Sequence, residues 1–110
     1  MITTHVLDTA RGEPAPGVPV VLERFDEDHW WTLGRGSTDD DGRLRDLLPE
    51  GAPLVGGRYR LTFDTAAYFN GRGEAAFYPE VAVVFNVAAG DHHHVPLLLS
   101  PFGYSTYRGS

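Results

Sequence analysis

A small all-β protein, a two-sheet sandwich of seven to eight short strands in a Greek-key-type arrangement with one brief helix, is what this chain predicts. Three observations carry that expectation. Apolar and polar residues alternate with a period of two in several stretches, as they do on half-buried strands. Turn-forming residues, 13 Gly and 8 Pro in 110 residues, cut the chain into short pieces. Only one window, Ala66 to Phe69, carries the start and stop signals of a helix. At this length the chain is expected to be one domain, residues 1–110, able to bury roughly two-thirds of its unfolded-chain surface. A hydrophobic content of 42% with 22% charged residues suffices for a core and argues against disorder.

Taken in order, Ile2, Thr4 and Val6 alternate with Thr3, His5 and Leu7, which gives a first strand with His5 on its second face. Asp8 to Gly17 is a Pro- and Gly-rich connection. Val18 to Phe25 reads as a second strand and Trp30 to Gly36 as a third, joined by the solvated acidic turn Asp26-Glu27-Asp28, with His29 beside it as plain surface. Asp41-Gly42 is a turn of the kind that reverses a hairpin, and Arg43 opens a short fourth strand. Gly57 to Asp64 alternates most clearly, with Tyr59, Leu61 and Phe63 on one face and Arg58, Arg60, Thr62 and Asp64 on the other. Asp64 or Thr65 caps the short helix, which stops near Gly71. Glu80 to Val87 is a strand with Val81, Val83, Phe85 and Val87 inward, and Ala88 to Asp91 turns into the last segment. There Val95, Leu97 and Leu99 face the core, so His92 and His94 share the opposite face.

Charge and composition remove several function classes. A formal net charge of −6 is the wrong sign for a nucleic-acid partner. All nine cations are Arg, a planar fork of donors suited to carbonyl and carboxylate oxygens, although an Arg-only set also fits a genomic bias. The absence of cysteine excludes disulfides, thiolate catalysis and Cys-ligated zinc. Met1 to His5 has no signal-peptide character and no later window approaches a membrane span, so the default expectation is a cytoplasmic protein.

Two motif matches fail on inspection. Ser37 to Gly42 resembles a calcium loop, but Ser37 and Leu48 stand where the first acidic ligand and the bidentate Glu belong. Gly71-Arg72-Gly73 lacks the βαβ unit of a dinucleotide site. The remaining polar candidates are His5, Arg43, His94, Tyr107, Arg108 and Ser110. If the first and penultimate strands are neighbours, His5 and His94 can be cross-strand partners on an outer face. An imidazole is the side chain suited to accept a proton near neutrality, and Arg43 or Arg108 can stabilise a developing oxyanion, which is what hydrolysis of a lactam or imide requires. The bland alternative is a pair of idle surface histidines. A third reading has His92 and His94, roughly 7 Å apart along a strand, share zinc with His5, but no carboxylate is placed to orient the rings.

These residues carry a resemblance. The stretches THVLDT at residues 4–9, TDDDGR ending at Arg43, YRLTFDT from Tyr59, FYPE from Phe77 and HVPLLLSPFGYSTYRGS at the end resemble the 5-hydroxyisourate hydrolases, transthyretin-related enzymes of urate breakdown, over essentially the whole chain. The terminal Tyr107-Arg108-Gly109-Ser110 is the most specific of these motifs, and hormone-carrying transthyretins lack it. The resemblance implies an eight-stranded sandwich assembled as a homotetramer, a dimer of dimers with active sites in a central channel. It also implies opening of 5-hydroxyisourate at its N1–C6 bond without cofactor or metal. Carried over, the functional positions are His5, Arg43, His94 and Ser110 for catalysis, with His5, Arg43, Tyr107 and Arg108 contacting substrate. In that scheme a histidine of the His5/His94 pair, oriented by Ser110, takes a proton from water while Arg43 polarises the substrate's oxygens. His93 stands where relatives more often have Tyr; facing inward, it needs a hydrogen-bond partner. The rival of another class is a transthyretin-type carrier that binds a small aromatic ligand without chemistry.

Overall fold

Two antiparallel-rich sheets face one another across an apolar interior, and the order of the strands explains why both ends of the chain meet. A computed structural model describes residues 1–110, with strands β1 (Ile2–Asp8), β2 (Glu13–Pro14), β3 (Pro19–Asp26), β4 (His29–Ser37), β5 (Arg43–Leu44), β6 (Gly57–Phe63), β7 (Val81–Val87), β8 (His93–Ser100) and β9 (Gly103–Thr106) and helix α1 (Thr65–Asn70). One sheet runs β2-β1-β8-β9, with β5 beside β2 along the free edge of β1; the other runs β4-β3-β6-β7. The first strand and the penultimate one are therefore neighbours, paired in parallel from Ile2 opposite His93 to Asp8 opposite Leu99.

The period-two pattern is what builds the core. Ile2, Val6, Val95, Leu97 and Leu99 from one sheet meet Val20, Leu22, Tyr59, Leu61, Phe63 and Val81 from the other, all buried. Because successive side chains alternate, Thr3, His5 and Leu7 on β1 and His94, Pro96 and Leu98 on β8 are left on the outer face. His93 points inward and is 4% exposed. Its polar demand is met locally: Nδ1 lies 3.2 Å from the Asp91 carbonyl and Nε2 accepts from the Ala88 N–H at 3.4 Å.

The turns follow their residues. Glu27 and Asp28 both have positive φ, 52° and 58°, as a two-residue turn between twisted strands requires, and so β3 and β4 form a hairpin closed by Asp26 opposite His29. Asp64 caps α1, its carboxylate accepting from the Ala67 N–H at 3.0 Å. Two expectations need correction. The Asp8 to Gly17 connection contains a two-residue strand, β2, held against Leu7 and Asp8. The Asp41-Gly42 turn does not reverse a hairpin: β4 ends at Ser37 in one sheet, and β5 pairs with β1 in the other. The turn is a crossing between sheets, and that crossing delivers Arg43 to His5.

Between the sheets, one buried polar contact ties the helix to β1. Asp8 is 1% exposed and accepts from the Tyr68 hydroxyl at 2.8 Å and from the Ala10 and Arg11 N–H groups at 3.1 Å each. A buried carboxylate with several donors is tolerable where an unpaired one is not. Burial, with the hydrogen bond to Asp8, pushes the Tyr68 hydroxyl up to about 12, so it remains a donor at any working pH.

Candidate active site on the outer face of the five-stranded sheet

Strand pairing alone assembles the polar cluster. Antiparallel pairing of β5 with β1 sets Arg43 opposite His5 and Leu44 opposite Thr4. Parallel pairing of β1 with β8 sets Thr3 opposite His94 and His5 opposite Pro96. The expected cross-strand pairing of His5 with His94 is thus off by one step on the face. They are diagonal neighbours, and the residue directly opposite His94 is Thr3.

The Asp39-Asp40-Asp41-Gly42 turn holds Arg43 and His5 together. The Asp39 carboxylate accepts from the N–H of Asp41 and of Arg43, each at 2.9 Å. These backbone donors, that of Arg43 foremost, hold the Asp39 carboxyl below the usual carboxylate range. The Asp41 carboxylate takes a hydrogen bond from Arg43 Nε at 2.9 Å, while the Asp41 backbone carbonyl accepts one from His5 Nε2 at 2.9 Å. Since a carbonyl only accepts, His5 carries a proton on Nε2. Gly42 makes the turn possible: its φ is +75°, and a methyl group there would stand 2.4 Å from the Val6 carbonyl oxygen.

The end of the chain closes on His94. After β9, the Gly109 N–H donates to the His94 carbonyl at 2.8 Å. The backbone lies so close that a Cβ at residue 109 would come within 2.5 Å of the His94 ring carbon Cδ2. Ser110 is thereby placed beside the ring. A cavity of about 180 Å³ is lined by Thr3, Arg43, Arg45, His92, His94 and Ser110, among others. The His94 Nδ1 lies 2.7 Å from the Thr3 hydroxyl, and the half-buried ring lines the cavity with no hydrogen bond from the chain to its Nε2. Burial, reinforced by the positive charges of Arg43 and Arg45 and by His5 and His92, holds the His94 imidazole below the ordinary histidine range. It is therefore neutral at physiological pH and can accept a proton.

Of the anticipated residues, His94, Arg43 and Ser110 share this cavity, and His5 borders it through Arg43. Tyr107 and Arg108 do not enter it. They line a groove of about 320 Å³ on the other side of His94, together with Val83, Phe85 and Asn86 of β7. Three-histidine zinc binding does not form, since no three His, Cys, Asp or Glu side chains come together and Thr3 lies between the rings of His92 and His94. Sequence reasoning missed Thr3, Asp41 and Arg45. The signal was available for two of them: Thr3 and Arg45 sit two residues from His5 and Arg43, hence on the same face. Asp41 was read as turn chemistry alone.

Comparison with known proteins places the chain's family and fold. The family model described as HIUase/Transthyretin family matches residues 2–109. A 5-hydroxyisourate hydrolase of Salmonella dublin is 48% identical over 111 residues, spanning 100% of this chain and 81% of that protein. Among solved structures, the 5-hydroxyisourate hydrolase of Klebsiella pneumoniae superposes with a TM-score of 0.86 at 41% identity, covering 99% of this chain and 98% of the other. The transthyretin of Sparus aurata superposes with a TM-score of 0.91 at 32% identity, covering 98% and 95%.

Proposed function

Because this chain belongs to the HIUase/Transthyretin family, we propose that it hydrolyses 5-hydroxyisourate at the N1–C6 bond, giving 2-oxo-4-hydroxy-4-carboxy-5-ureidoimidazoline in urate breakdown. The observation that carries the reading is the meeting of a neutral, accessible imidazole with a guanidinium and a hydroxyl, His94 with Arg43 and Ser110, in one small cavity. The fold does not discriminate hydrolase from carrier, since solved structures of both kinds superpose on it. The polar lining does, because a channel for a hydrophobic ligand has no use for charged donors and a free proton acceptor.

In the proposed reaction the His94 Nε2 accepts a proton from water as its oxygen bonds to C6. Negative charge gathers on the C6 oxygen, where Arg43 stabilises it. The C6–N1 bond then breaks, N1 takes the proton back from His94, and the acid product ionises. His5, with its Nε2–H held by Asp41, orients substrate and Arg43. Ser110 orients water or the His94 ring rather than attacking. Tyr107 and Arg108 contact substrate from the adjoining groove.

A cavity of about 180 Å³ falls below the usual range for a site that encloses its ligand. The chain is proposed to complete it by assembly as a homotetramer, a dimer of dimers with the outer faces of the five-stranded sheets lining a channel. Supporting this, β7 and β9 both end their sheets with unpaired edges. Exposed apolar side chains flank them, with Val84 54%, Phe102 77% and Tyr107 57% exposed.

The test is the ultraviolet decay of freshly generated 5-hydroxyisourate. Wild type should accelerate it strongly and His94→Ala should remove most of the acceleration, while both bind no thyroxine-like ligand tightly. Decay at the spontaneous rate with wild type would defeat the hydrolase reading.

A further inference from the structure

The Thr3 hydroxyl stands between two imidazoles, 3.0 Å from His92 Nε2 and 2.7 Å from His94 Nδ1. Thr3 is 5% exposed, and the two ring centroids are 6.4 Å apart. Strand geometry makes it so: Thr3 is the direct partner of His94, and His92 lies two residues before His94 on the same face.

A hydroxyl has one proton to give. Placed between two imidazole nitrogens, it can donate to only one and must accept from the other. With both rings neutral, two arrangements satisfy the bridge. In the first, His94 Nδ1–H donates to Thr3 and Thr3 donates to His92 Nε2, which leaves His94 Nε2 bare. In the second, His92 Nε2–H donates to Thr3 and Thr3 donates to His94 Nδ1, which puts the His94 proton on Nε2. Only the first leaves Nε2 able to accept a proton. When His92 becomes protonated both of its nitrogens carry hydrogen, and only the second arrangement remains.

We propose that Thr3 and His92 are positioning residues that set the tautomer of His94: neutral His92 holds His94 as the Nδ1–H form with a basic Nε2, and protonation of His92 flips it through the Thr3 hydroxyl to the Nε2–H form. The proposal rests on the reading of His94 as the proton acceptor and extends it. His92 is exposed and lines the cavity, while His94 is partly buried. The other charged or titratable groups around the pair are the Met1 N-terminus, His5 on β1, Arg43 on β5, Arg45 just past it and Arg108 beyond β9. The arginines keep their charge across the histidine range.

The experiment is ¹⁵N NMR of histidine-labelled protein, which reports the protonation of each ring nitrogen, on wild type, Thr3→Val, Thr3→Ser and His92→Phe, with 5-hydroxyisourate turnover measured on the same samples. In wild type near pH 7.5 the His94 signals should be those of the Nδ1–H form. As pH falls, His94 Nε2 should gain its proton, and Nδ1 lose its own, in step with protonation of His92. Thr3→Val and His92→Phe should show His94 as Nε2–H already at pH 7.5. Their kcat should fall roughly 10- to 100-fold, within the range for losing general-base assistance, with KM changing less than kcat. Thr3→Ser, which keeps the hydroxyl, should restore both the tautomer and the rate. An Nε2–H form of His94 in wild type at pH 7.5, or an unchanged tautomer in both Thr3→Val and His92→Phe, would overturn the relay. The two readings fail separately. Tautomer shifts as described in a protein that does not hydrolyse 5-hydroxyisourate would uphold the relay and remove the hydrolase. Normal hydrolysis with no tautomer shift would do the reverse.

Discussion

Arg43 is a planar fork whose Nε is held by the Asp41 carboxylate at 2.9 Å; in the proposed reaction its terminal nitrogens are the ones offered to a substrate oxygen. The pair is well exposed, so it adds little to stability; its effect is orientation. Arg43→Lys keeps the charge but loses the fork. Its kcat/KM should drop roughly 100-fold with the melting temperature nearly unchanged, read by turnover and calorimetry on the same preparation; a variant of wild-type activity would remove Arg43 from the oxyanion role. Gly109 is constrained from the other side, by a backbone that nearly touches the His94 ring. Gly109→Ala should push the imidazole away from Ser110 and lower kcat at least tenfold, a loss comparable to other misplaced catalytic groups, while far-ultraviolet dichroism stays that of wild type. At this scale much was legible beforehand. Arg43, His94 and Ser110 were expected together, and they share a cavity. The use of Asp41 as a clasp was not legible, because sequence shows that an Asp-Gly pair turns the chain but not which side chain its carbonyl will meet. Tyr107 and Arg108 were expected in the same place and lie across the ring, since the course of an extended terminus depends on contacts remote in sequence.

Elements were easier to foresee than their partners. The alternation of β6 and β8 and the Asp64 cap on α1 are local, and the helix and both strands formed where the residues indicated. The partner of β5 was not local. A two-residue strand carries no pattern that tells one sheet from the other, and its crossing to β1 is what sets Arg43 opposite His5. The contact holding α1 against β1 is likewise invisible in one dimension, as Asp8 and Tyr68 are 60 residues apart. Tyr68→Phe would leave the buried Asp8 carboxylate one donor short, a loss of about 1–3 kcal/mol, measurable as a lower urea midpoint with an unchanged slope. A variant as stable as wild type would mean that the Ala10 and Arg11 N–H groups already satisfy the carboxylate.

In the proposed reading, a sandwich core supports chemistry on the outside of one sheet. The inner faces of β1 and β8 are committed to packing, and period two then hands the outer face to Thr3, His5 and His94 without further design. Two unpaired edge strands and exposed aromatic side chains leave the proposed tetramer as the natural completion; native mass spectrometry should find four copies at micromolar concentration, and a monomer there would contradict it. The depressed proton affinity of His94 also couples pH to stability. Because the unfolded chain binds that proton more readily than the folded one, stability should decline as pH falls below the ordinary histidine value of ~6.5 toward the lowered one. The same sign governs catalysis. The neutral ring is present above its lowered value and disappears below it, so kcat/KM, which reports the free enzyme, should fall toward acid pH. The most direct measurement of the central claim is that profile for 5-hydroxyisourate from pH 5 to 8, taken for wild type and for the residual activity of His94→Ala. An acid limb present in wild type and absent from the variant is the predicted result, and a flat wild-type profile, or a limb that survives loss of His94, would contradict it.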